Sequence, residues 1–187
     1  MQIWKNEGEG KFRKAEHNVV ALDDLTGMAA WNGAGGKRLL LIGQANYEAA
    51  DTNRPRLLAL EMCATGDVNL TPVVEGSRSS VGPLAVADID GDGHLDIFAA
   101  EMTKWTESRK DSDNPKATAW ILFGDGKGNF RTTVFSTGID FHEASVADLN
   151  GDGLMDILDK PYNWEAPRVD VWLQIPRNKK NPAPLQK

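Results

Sequence analysis

At 187 residues, with 41% hydrophobic and 26% charged side chains, the chain is long and apolar enough to bury a core, which excludes a disordered segment. Its longest apolar runs, such as 39–42, are too short to cross a bilayer. The formal charge is −6, yet Asp88, Asp90, Asp92, Asp96, Asp148, Asp152 and Asp156 carry seven negative charges, without which the balance would be +1. Acidity gathered into two short stretches implies local cation binding and argues against nucleic acid as a partner.

The chain opens on MQIWKNEGEGKF, which lacks an apolar core after a basic start and so reads as no signal peptide. Residues 3–6 read as a strand, 8–12 as a turn and KFRKAE (11–16) as a second strand. Next comes AAWNGAGGKRLLLIG (29–43), then a strand at RLLALEM (56–62) and a turn at GDVNL (66–70). Cys63 excludes an intrachain disulfide and reads as a buried structural thiol. LAVADIDGDGHLDIFAA (84–100) places a strand on each side of an acidic loop, followed by TAWILFG (118–124), GKGNF (126–130) and FRTTVF (130–135). ASVADLNGDGLMDILDK (144–160) repeats the loop, and VDVWLQ (169–174) gives one more strand. The end, 176–187, holds Arg177, Lys179, Lys180 and Lys187 without interleaved aromatics and reads as a flexible, solvated tail.

These pieces recur in register. Asp88 and Asp148 stand 60 residues apart, and Phe12, Leu70 and Phe130 are spaced by 58 and 60. Ala87 follows Leu70 by 17 residues, and Ala147 follows Phe130 by the same 17. Enrichment in Val, Ile, Phe, Trp and Thr between Gly, Asn and Asp punctuation predicts four antiparallel strands per unit. The fold class is therefore all-β, with propeller-type blades over about 17–75, 76–135 and 136–175, and N-terminal closing strands over 1–16. In the first unit the register puts Ala30 opposite Asp88 and Arg38 opposite Asp96. That unit is expected to keep the blade and lose the metal.

The two intact loops read D-x-[DN]-G-D-G-x-x-D. Side chains at positions 1, 3, 5 and 9 (Asp88, Asp90, Asp92, Asp96; Asp148, Asn150, Asp152, Asp156) converge while the chain curls. Position 7, His94 or Leu154, offers its backbone carbonyl, and glycines permit the curl. Hard oxygen donors point to Ca²⁺, two ions in all, rather than zinc. An EF-hand shares the opening but needs a bidentate Glu at position 12 and flanking helices. Position 12 is Ala99 in one loop and Asp159 in the other, the flanks are strand-like, and Pro161 follows closely. A dockerin-like pair would accept Asp at position 12 but not two loops 60 residues apart.

The two acidic blocks, with WKNEGEGKF and ILFGDGKGNF as hairpins, resemble FG-GAP (VCBS) repeats, the calcium-binding propeller units of integrin α-subunits and many secreted bacterial proteins. The resemblance covers nearly all of 3–174. It implies a calcium-stabilised extracellular or periplasmic module whose propeller is completed by further blades of the same parent chain or by an oligomer. The connections between second and third strands lie at the end opposite the acidic loops. There Trp105, Lys160, Tyr162, Trp164 and Arg168, with His142 from a nearby link, form a candidate site for carbohydrate or a protein partner. A lyase acting on polysaccharide at the same end is the alternative, with His142 and Glu143 as acid and base. A purely structural module is the second alternative. Adjacent strand residues point to opposite sides, so His142 and Glu143 are expected apart unless a loop holds them.

Overall fold

The computed structural model describes residues 4–14, 25–44, 57–62, 68–74, 81–102, 115–161 and 168–176. All regular structure there is β, apart from one short 3₁₀ turn at Ala34–Gly36. Strands β1 (Trp4–Gly8) and β2 (Lys11–Lys14) make an isolated antiparallel hairpin. The first blade is β3 (Leu25–Asn32), β4 (Arg38–Gln44), β5 (Leu57–Met62) and β6 (Val68–Val74), in that spatial order. The second runs likewise through β7 (Val81–Ala87), β8 (Asp96–Glu101), β9 (Thr118–Gly124) and β10 (Phe130–Thr137). The third holds β11 (Glu143–Ala147), β12 (Asp156–Lys160) and β13 (Asp170–Trp172). The all-β, blade-like architecture read from the sequence is what forms.

Successive residues on a strand face opposite ways, so each central strand has one face for each neighbouring blade. From the first blade, Trp31, Leu41, Leu57 and Ala59 meet Ile97, Ala99, Trp120 and Leu122 of the second. From the other face of the second blade, Phe98, Ala100 and Ala119 meet Phe141 and Ile157 of the third, with Phe135 and Trp172 packed against them. Edge contacts between rings lock both seams: Trp31 to Phe130 at 5.3 Å, and Phe135 to Trp172 at 5.9 Å. Phe141 stacks on Trp172 at 5.1 Å.

The first strands of the three sheets lie side by side, β3 beside β7 and β7 beside β11. Where β3 and β4 approach β7, the backbones nearly touch. A Cβ on Gly27 would stand 1.9 Å from the Gly82 carbonyl oxygen, and one on Gly43 2.1 Å from that of Val81.

The first unit departs from the sequence register. Asn32 pairs with Arg38, so only residues 33–37 turn the hairpin, against 88–95 between Ala87 and Asp96 and 148–155 between Ala147 and Asp156. Arg38 is exposed on the opposite face from Leu39 and Leu41 and does not occupy the place of Asp96. Strand parity explains the correction: shortening the hairpin by an odd number of residues exchanges the faces beyond it.

Candidate metal centres and the opposite end

The two acidic loops share one hydrogen-bonded frame. Asp88 Oδ1 accepts the N–H groups of Gly91 (2.9 Å) and Asp92 (3.1 Å), and its Oδ2 accepts Gly93 N–H (2.9 Å). Asp148 accepts Gly151 (2.7 Å), Asp152 (3.1 Å) and Gly153 (2.9 Å) in the same order. His94 N–H donates to Asp92 Oδ1 at 2.8 Å, and Leu154 N–H to Asp152 Oδ1 at 2.9 Å. The curl needs left-handed backbone at Gly91, Gly93, Gly151 and Gly153, whose φ angles run from 76° to 89°.

The last aspartate of each loop is a buried bracket. Asp96 Oδ2 accepts Ile89 N–H at 2.9 Å while Oδ1 accepts Gly124 N–H at 2.8 Å, tying the loop to the end of β9. Asp156 does the same with Leu149 (2.9 Å) and Gln174 (2.8 Å). Burial pushes the Asp96 carboxyl above the ordinary range, opposed by the N–H groups of Gly124 and Ile89. Asp148 is held below that range, first by the Gly153 N–H.

Asp88, Asp90 and Asp96 each offer a carboxylate oxygen, all within 4.8 Å of one another. Among the described residues no other three His, Cys, Asp or Glu side chains come together so closely. A set of hard oxygens fits Ca²⁺, and such a cation would offset repulsion that the backbone N–H groups offset only in part. Asp92 lies outside this group. In the second loop Asn150 replaces a carboxylate, and its amide donates to Asp152 Oδ2 at 3.0 Å. The His94 ring lies against Gly126, so the acidic loop and the β9–β10 turn share one end of the blade. Trp31 of the first blade supports the same loop, its indole N–H donating to Leu95 O at 2.6 Å. Sequence reading missed this contact because nothing near Trp31 resembles a ligand motif.

At the opposite end, Lys160 is exposed, and Arg168 is exposed and turned onto Asp170 through Nε and Nη2 at 3.0 Å. Trp105, Tyr162 and Trp164 lie outside the described residues. β11 begins at Glu143, which leaves His142 in a bend and brings its Nδ1 within 3.7 Å of Glu143 Oε1. The bend brings the two side chains together. Sequence reading used Asp159 only as the position-12 residue in weighing an EF-hand or a dockerin-like pair. It is fully buried: Oδ1 accepts His142 N–H at 3.2 Å, and Oδ2 has no hydrogen-bond partner. Burial raises its carboxyl to about 7, and the charges of Asp140 and Asp170 push the same way.

Antiparallel sheets of four, four and three strands stacked face to face, with bracketed acidic loops in the second and third, define a protein of repeated blade units. Residues 88–158 match the FG-GAP-like repeat family. No curated protein matches the chain. No helix among the described residues is long and apolar enough to cross a membrane.

Proposed function

We propose that this chain is a calcium-stabilised extracellular or periplasmic recognition module. The observation that carries the reading is the convergence of Asp88, Asp90 and Asp96 on one point, within a loop frame that the third blade repeats. Calcium here is structural. In the first loop it would bind Asp88, Asp90, Asp92 and Asp96 with the His94 carbonyl, and in the second Asp148, Asn150, Asp152 and Asp156 with that of Leu154. Recognition of a carbohydrate or a protein partner is assigned to the opposite end, to Lys160, Arg168 and His142 together with Trp105, Tyr162 and Trp164.

Calorimetric titration with calcium should give two sites, with affinity on the order of 10⁻⁴–10⁻³ M as in extracellular modules. One site, or three, contradicts the ligand assignment. For recognition, a glycan array is the first screen, with Trp164→Ala expected to keep the calcium response and lose ligand binding. Undiminished binding by a double Trp105→Ala, Trp164→Ala variant moves the site elsewhere, and turnover of an anionic polysaccharide replaces recognition with the lyase reading.

A further inference from the structure

The two acidic loops stand on adjacent blades, and one side chain reaches from one to the other. Each bracket carboxylate takes an N–H from the end of its blade's third strand or just past it. Asp96 Oδ1 takes that of Gly124, which closes β9, and Asp156 Oδ1 takes that of Gln174, which follows β13. Gly124 and Gln174 thus hold the same place in their blades, yet only one has a side chain.

The carbonyl just before each bracket is where they differ. In the second blade Leu95 O accepts the Trp31 indole N–H, and a Cβ on Gly124 would stand 2.4 Å from that same oxygen. In the third blade Met155 O is met by the amide of Gln174 itself. That amide faces two carbonyl oxygens, which assigns its nitrogen to them: Nε2 donates to Met155 O at 2.9 Å and to Ile89 O at 3.2 Å. Ile89 belongs to the other loop, across the seam, and its N–H is the one that Asp96 Oδ2 accepts. A continuous path therefore runs from Leu149 through Asp156, Gln174 and Ile89 to Asp96. Around it the packing is open, with a cleft of about 230 Å³ lined by Ile89, Asp90, Met155 and Gln174 among others. The amide bridges a gap that apolar packing leaves.

We propose, on the calcium reading of both loops, that Gln174 is a positioning residue that couples them, so that calcium in one raises the affinity of the other. Asp96 and Asp156 are each both a bracket and the last ligand of their loop. Whatever fixes Asp156 also fixes Gln174, and with it the Ile89 carbonyl at the foot of the first loop. The first loop then has less conformational freedom left to lose when its own ligands are ordered. By linkage the same factor acts in the opposite direction.

The test is calorimetric titration of the full chain with calcium. Asp92→Ala leaves the second loop competent and Asp152→Ala the first, so each affinity is measured alone. In the wild type the second ion should bind about fivefold more tightly than those single affinities predict, at the low end of couplings between sites. Gln174→Met keeps the length of the side chain and the backbone N–H but not the amide. Introduced into all three chains, it should abolish that excess, whatever it does to either single affinity. A glutamine that only supports the fold would shift the single affinities and leave the excess in place. Two sites without an excess in the wild type, or an excess that survives Gln174→Met, overturn the coupling and leave the calcium reading standing. No calcium uptake by any of the chains overturns both. If Gln174→Met fails to fold, hydrogen exchange in the Asp92→Ala chain carries the test. Calcium taken up by the second loop should slow exchange at the Ile89 N–H across the seam, and an unchanged rate overturns the proposal.

Discussion

The first blade closes its leading hairpin with five residues and no acid, whereas the second uses eight residues with three aspartates, followed by Asp96 at the start of β8. The first hairpin lies against both the β9–β10 turn and the acidic loop of the second blade. Ala34 N–H donates to Gly126 O at 2.6 Å, and Trp31 reaches across the seam to Leu95 O. One hairpin is fixed by a buried ring and the other by a buried carboxylate bracket on which a cation can act. A blade of this kind needs its first turn anchored, and this chain does so with a buried ring in one blade and a buried carboxylate in the next.

Breaking the apolar anchor should give the largest effect. Trp31→Ala removes a fully buried ring and its N–H bond, with an expected loss of about 3–5 kcal/mol. Chemical denaturation should show the same loss in calcium and in chelator, and a loss confined to calcium would mean that the ring serves only the neighbouring loop. Breaking the bracket comes next. Asp96→Ala leaves the Ile89 and Gly124 N–H groups unsatisfied in a buried place, for about 2–4 kcal/mol even in chelator. An unchanged denaturation midpoint in chelator would show that the carboxylate matters only as a ligand.

Loading the acidic loops sharpens the contrast from the other side. Calcium that binds only the folded chain should add about 2.7 kcal/mol per occupied loop at a hundredfold excess over Kd. Asp92→Ala and Asp152→Ala should each remove part of the rise in Tm, while Asn32→Ala should remove none. A melting curve indifferent to chelator would reduce both loops to plain turns.

How much of this the sequence disclosed depends on which interactions set each feature. The 60-residue period, the strand content and the acidic loops were legible because they rest on local spacing and residue type. The face of β4 was not. Parity beyond a hairpin depends on how many residues the turn consumes, and the spacing of 58 rather than 60 between Phe12 and Leu70, an even difference, carried no sign of the exchange. Asp159 was illegible for another reason. Its burial arises from strands and bends brought together only in the fold, where Asp170 pairs with it across the sheet and His142 N–H meets its oxygen.

Asp159 also gives the smallest expected effect. Its folded carboxyl sits near 7, above the ordinary 3.8. Its favourable contribution is complete below about pH 4 and lost as pH rises through 7. Asp159→Asn should therefore stabilise the chain by about 1–2 kcal/mol at pH 8, a figure discounted from the full shift for water and neighbouring charge relaxing around the group. At pH 4 it should be nearly neutral. An equal gain at both pH values would place the effect in packing rather than in the proton.

The close approach of β3 and β4 to β7 also governs curvature. Small residues, Gly27, Gly43 and Gly82, sit where the first strands meet, while Trp120, Phe130 and Phe135 fill the seams on β9 and β10. The layers thus taper like the leaves of a fan, thin at the pivot and thick at the rim. A methyl group at Gly27 would be a shim at the pivot, wedging the narrow side and flattening the turn from one leaf to the next. Because that turn fixes how many leaves complete a circle, residues with no side chain at all control the circumference such blades can enclose.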